Sequence, residues 1–161
     1  MAILDEAQVI CNQRGFDHQA TTTKLYQAEL LLAMGDFVDA YSYARSIKDY
    51  FAAQGLGSAN ARTSLVMAAS LIERLRSAVA QQDIEQQELL QQEAVSLCKQ
   101  VTEDAYQRNL QEEVYKSHYL LGRLWVILEN PEKAAEHLRA AITQIECILD
   151  DLVYDLSPLF L

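Results

Sequence analysis

The chain has 161 residues, half of them apolar and 22% charged, enough for one domain to bury a core without disulfides or metal. With 23 acidic and 13 basic residues its formal charge is −10, which argues against a nucleic-acid surface and against docking on an anionic membrane. Twenty-three leucines and 21 alanines stand against five glycines and two prolines, with no alternating β-branched run; this excludes a sandwich, barrel, collagen or disulfide scaffold and predicts an all-α fold.

Sparse breakers divide the chain into about seven helices. Ile3, Leu4, Ala7, Ile10 and Cys11 form a short helical stretch, which Gly15 ends in a left-handed conformation. Asp17 or one of Thr21 to Thr23 starts the next helix, which runs to Met34. At Gly35-Asp36 glycine stops and aspartate caps, and Phe37, Ala40, Tyr41, Ala44, Ile47 and Phe51 then repeat at helical spacing. Gly55-Leu56-Gly57 ends that helix, with Ser58 as the next cap. Ala61, Leu65, Ala68, Ile72, Leu75 and Val79 follow, up to a polar break at Gln81-Gln82-Asp83, where Asp83 and Gln86 have capping-box spacing. One continuous helix through Ile84 is the alternative. The next stripe is Leu90, Ala94, Leu97, Cys98, Val101 and Ala105, with a loop near Tyr106 to Asn109. Leu110, Val114, Leu121, Trp125 and Leu128 share a face. Asn130-Pro131 then restarts the chain for Ala134, Leu138, Ala141, Ile145, Ile148 and Leu152. Short links make neighbouring helices antiparallel, as hairpins over about 17–54, 58–105 and 109–152 within one domain spanning 1–161.

Two segments repeat. The same offset of 94 positions separates Ala28 from Gly122 and Ala40 from Ala134. Each copy has a small residue in mid-helix and an alanine 12 positions on, beyond the turn. Antiparallel helices approach closely only where crossing side chains are small, and Gly122 costs about 1 kcal/mol against alanine unless such a crossing needs it. A middle copy would use Ala69 and Ala94 with a longer connection.

With Leu31 and Trp125 at the bulky position, and the turns Gly35-Asp36-Phe37 and Glu129-Asn130-Pro131, the chain resembles the tetratricopeptide-repeat superfamily of helical hairpins over nearly its whole length. The hairpins are longer than the standard period of 34 and are more similar to the degenerate repeats of large bacterial regulators. Lys24 and His118 stand at the motif's first tryptophan position, and Ala52 and Glu146 at its terminal proline. The resemblance implies a short right-handed α-solenoid whose first helices line a concave groove. It implies a scaffold function in a signalling or transcriptional regulator, with a protein or peptide partner. The Gly122 register puts Lys116, Tyr119 and Arg123 on that groove, and the Ala69 register adds Glu73 and Arg74. The basic residues there suit a carboxylate or acidic peptide, or else pair with acids one turn away. The family's basic carboxylate clamp is not matched as a set: Thr22, Leu25 and Glu29 occupy those places in the first copy.

No catalytic constellation is expected. Phosphate-loop, dinucleotide, nucleophile-elbow and zincin motifs are missing, and the chain reads as a non-enzyme without cofactor. Cys11, Cys98 and Cys147 are far apart with no CxxC, and Cys98 lies on an apolar stripe as a buried thiol. His18, His118 and His137 have no ligand partner at helical spacing, so no metal is expected. The adjacent acids Glu112-Glu113 and Asp150-Asp151 cannot face each other on one helix and read as solvated faces. Gln81 to Gln92, interleaved with Ile84, Leu89 and Leu90, reads as a polar-faced helix. The chain has no apolar run near the roughly 20 residues of a membrane helix, and Met1 to Glu6 lack the basic start and apolar stretch of a signal peptide, so no membrane partner and a cytoplasmic location are expected. The segment Leu152 to Leu161 closes on Leu159-Phe160-Leu161 without a polar cap. It either folds back, meets a second chain, or belongs to a longer protein of which this is a piece. Two further functions stay open: self-association through apolar terminal helices, and a small-ligand sensor whose sign would be a cavity lined by Tyr115, Tyr119 and Trp125.

Overall fold

A computed structural model describes residues 2–156, and the apolar Leu159-Phe160-Leu161 lies outside the described residues. Seven α-helices follow one another: α1 (Ala2–Arg14), α2 (Asp17–Met34), α3 (Phe37–Ala53), α4 (Gly57–Gln81), α5 (Ile84–Gln107), α6 (Gln111–Ile127) and α7 (Pro131–Leu156). Links are two or three residues long, and no strand occurs among the described residues.

The breaks have identifiable causes. Gly35 takes φ +87°, and the amides of Gly35 and Asp36 turn back to the carbonyls of Leu32 and Leu31, closing α2. Asp36 then caps α3, its carboxylate accepting from the Asp39 amide. The break without glycine falls at Gln82, which adopts φ 59°, and Asp83 caps α5 by accepting from the Gln86 amide at 3.1 Å. The chain therefore turns before Ile84 and does not run on as one helix. Asn130 accepts from the Lys133 amide at 3.1 Å, with Pro131 as the first residue of α7.

Three local expectations need correction. Ser58 does not cap α4: the helix starts one residue earlier, and the Ser58 hydroxyl donates across to Glu113 of α6 at 2.7 Å. The hydroxyls of Thr21, Thr22 and Thr23 donate to the carbonyls of Asp17, His18 and Gln19 one turn back, so these residues lie inside α2. Glu112 is solvated as expected, but Glu113 is buried, because the Ser58 contact gives its carboxylate a partner.

Each helix packs on its chain neighbour, and α4 packs also on α2 and α6. Contacts from Gln111 to Asp151, His118 to His137 and Trp125 to Lys133 ascend α6 while descending α7, so that pair is antiparallel. Ser58 to Glu113 and Glu73 to Arg123 ascend α4 and α6 together, so those helices run parallel. Tyr41 to Glu93 and Lys48 to Gln100 do the same for α3 and α5. With four helices against it, α4 is nearly enclosed and buries Leu65, Val66, Met67, Leu71, Ile72 and Leu75. Its buried Thr63 and Ser70 hydroxyls are satisfied by carbonyls four residues back. Ala28, Ala40 and Ala44 are fully buried, and Gly122 is buried against Leu138. The small residues of the two matching segments thus sit inside helix contacts, whereas Ala69 of the middle copy borders an open cleft. By contrast α1 buries no residue; among the described residues it packs on α2 alone, where the Asp5 carboxylate accepts from Gln27 at 2.8 Å.

Candidate functional site

Between α2, α4 and α6 lies an open cleft of about 250 Å³. Its apolar surface comes from Leu32 of α2, Leu65, Val66 and Ala69 of α4, and Leu120 of α6. Polar walls are Glu29, Arg62, Lys116 and Tyr119. Ala69 is the small residue that leaves the space: a longer side chain at mid-α4 would fill it.

The charges around the cleft are paired. Arg62 grips Glu29 with two nitrogens at 2.7–3.1 Å, joining α4 to α2, and its guanidinium lies 5.4 Å over the Tyr26 ring. Burial works against the Arg62 charge, but the Glu29 and Tyr26 contacts outweigh it and hold the group above its ordinary pKa. Three turns further along α4, Glu73 binds Arg123 of α6, and Arg76 binds the other oxygen of Glu73 at 3.0 Å. Lys116 pairs with Glu112 at 2.5 Å; that hydrogen bond, then the ammonium charge, holds the Glu112 carboxyl below its ordinary value, with a smaller contribution from Arg62. These half-exposed pairs contribute little stability each, about 0–1 kcal/mol. Their larger effect is positional, because Glu29–Arg62 and Glu73–Arg123 fix the rotation of three helices around the cleft.

Four of the five residues expected on a groove therefore belong together: Lys116 and Tyr119 border the cleft, and Arg123 with Glu73 closes its neighbouring turn. Arg123 also lies 5.8 Å over the Tyr119 ring. Arg74 is separate. One residue beyond Glu73 turns it toward α3 and α5, where its guanidinium lies 6.0 Å from the Tyr41 ring beside Leu89 and Glu93. Sequence reasoning missed Arg62 and the apolar residues under it. Arg62, Val66, Ala69 and Glu73 share one face of α4, so extending the Ala69 register backwards by two turns would have found them.

Of the three aromatic residues named for a small-ligand cavity, neither Tyr115 nor Trp125 lines the cleft. Tyr119 borders the cleft, whereas Lys133 of α7 lies 4.1 Å from the centre of the Trp125 ring. Among the described residues no three His, Cys, Asp or Glu side chains are grouped to hold a metal ion, and no helix is long and apolar enough to cross a membrane. Cys98 is fully buried, and burial pushes its thiol up to about 12. No protein-family model, curated protein or solved structure matches the chain.

Proposed function

We propose that the chain is a non-catalytic interaction module, a short right-handed stack of helical hairpins similar to tetratricopeptide repeats, which takes a protein or peptide segment into the α2–α4–α6 cleft. The observation that carries the reading is the cleft's composition. An apolar surface is left open beside an exposed tyrosine, in a rim whose charges are already satisfied. Arg62, Lys116 and Arg123 each hold an acid of this chain, so an acidic peptide would have to displace Glu29, Glu112 or Glu73. A segment anchored by one or two apolar side chains displaces only water, at a gain of about 25 cal/mol per Å² buried. The partner chemistry favoured is accordingly an apolar anchor with polar flanks.

Selection from a random peptide display library, followed by NMR mapping of the best peptide, tests this. Enriched peptides are expected to share an apolar anchor and to shift resonances of Leu65, Ala69, Tyr119 and Leu120. Ala69→Trp, which fills the cleft, is expected to weaken them at least tenfold while circular dichroism stays unchanged. Peptides that bind the Ala69→Trp protein as well as wild type, or shifts confined to other faces, would remove the cleft from consideration.

A second reading rests on a separate observation. Ile142, Ile145, Leu149 and Leu152 repeat at alternating three- and four-residue spacing along α7 and are 39–54% exposed. An apolar row of this kind suits self-association.

A further inference from the structure

His118 of α6 and His137 of α7 face each other across the last hairpin, with their Nδ1 atoms 3.2 Å apart, ring centres 5.5 Å apart and ring planes inclined at 30°. We propose that this pair is a bidentate site for a divalent transition-metal ion of the zinc or nickel type. The geometry carries the assignment. A metal about 2.0–2.1 Å from each imidazole nitrogen, with those nitrogens 3.2 Å apart, subtends an angle of about 100°, close to that between two ligands of a tetrahedral ion. Imidazole nitrogens favour zinc, copper and nickel over magnesium and calcium.

The backbone explains why the rings meet. Gly122 lies one turn after His118, and its missing Cβ lets Leu138, the residue after His137, sit where a side chain would otherwise stand. The close crossing at Gly122 thereby sets the spacing of the two imidazoles on rigid helices. Both are part-buried, so little rotamer freedom remains to be lost on binding. The surrounding charges are mixed: Glu136 of α7 favours a cation, while Lys133 of α7 and Lys99 of α5 oppose it. With no third side-chain ligand grouped nearby among the described residues, water takes the remaining positions, and the site is exchangeable rather than a closed structural centre.

The test uses the full chain, stripped with chelator, at neutral pH, with Cys11 and Cys147 replaced by serine so that accessible thiols do not compete. Zinc and nickel are titrated by calorimetry and by thermal unfolding, beside magnesium. One equivalent is expected to bind, raising the melting temperature, with magnesium inert. His118→Gln or His137→Gln is expected to lower affinity at least tenfold and abolish the metal-dependent rise. NMR of the unsubstituted histidines supplies a readout that needs no folded variant: zinc is expected to shift both rings in parallel and to leave the exposed His18 unmoved. The proposal falls if both rings are unmoved by zinc, or if His118→Gln combined with His137→Gln leaves the isotherm unchanged, which would reduce the 3.2 Å contact to an Nδ1–H to Nδ1 hydrogen bond.

Discussion

Gly122 bears two opposed effects. As a glycine inside a helix it costs about 1 kcal/mol relative to alanine. A Cβ built there would come 2.6 Å from Cγ and Cδ2 of Leu138, closer than packed atoms tolerate, and overpacking of this kind costs about 1–3 kcal/mol. Setting that clash with partly buried Leu138 against the helix propensity recovered, Gly122→Ala is expected to range from neutral to about 2 kcal/mol destabilising, whereas Gly122→Leu should destabilise by about 2–3 kcal/mol. In a Leu138→Ala background the conflict disappears and Gly122→Ala should instead stabilise by about 1 kcal/mol. Urea unfolding of the four-protein cycle measures this coupling; strict additivity would place the glycine's role elsewhere. Gly122 was legible in the sequence because a glycine in a leucine-rich helix is anomalous by itself. Cys98, flanked at helical spacing by apolar residues, was legible for the same reason. His118 and His137 were not: 19 residues separate them, and only the crossing of two helices brings them together. Arg74 failed on direction, since one residue is about 100° of helix rotation and register alone does not choose between neighbours.

At the scale of elements, turn chemistry marks both the ends and the starts of helices, and it fails where a capping side chain is drawn to another helix. Gly35 and the Asp83 cap behave as the sequence implies, whereas Ser58 gives its hydroxyl to a partner on another helix, which no local pattern encodes. The α4–α5 break has a cost of its own. Gln82 sits at φ 59°, a region that glycine enters freely and other residues do not. Gln82→Gly should therefore stabilise the protein by about 0.5–1 kcal/mol, despite glycine's greater freedom in the unfolded chain, and Gln82→Val should do the reverse. Thermal unfolding of the two variants decides the sign. The α6–α7 hairpin carries a pH dependence as well. Burial lowers the pKa of both histidines, and for His118 the neighbouring His137 lowers it further; Glu136 opposes, while Lys99 and Lys133 add to the lowering at His137. A histidine whose folded pKa lies below the ordinary value of about 6.5 binds its proton more readily when unfolded. Stability is thus retained above that value and lost as pH falls from it toward the lowered folded pKa. In chelator-treated protein the melting temperature should fall over that interval, and it should fall less in His118→Gln, which leaves no pair of imidazoles to charge together.

Over the whole molecule, net charge and the apolar row of α7 act in opposite directions. A formal charge of −10 repels a second copy, while Ile142, Ile145, Leu149 and Leu152 offer it a surface. The row arises because α6 covers only one side of α7: Ala134 and Ala141 are buried while Ile142 and Leu149, a third of a turn away, remain open. On α5 the matching side is occupied, with the Thr102 hydroxyl 2.6 Å from that of Ser117 on α6. Salt separates the two forces. Raising ionic strength from 0.05 to 0.5 M shortens the screening length from roughly 14 to 4 Å, so it weakens the repulsion while leaving apolar contact intact. Association through this face should therefore strengthen with salt, opposite to an interface built on ion pairs. Sedimentation velocity across that salt range is expected to show a growing dimer fraction, and Ile142→Glu with Leu149→Glu should abolish it without altering helicity. A chain that stays monomeric at high concentration and 0.5 M salt would leave the α2–α4–α6 cleft as the surface on which the interaction reading depends.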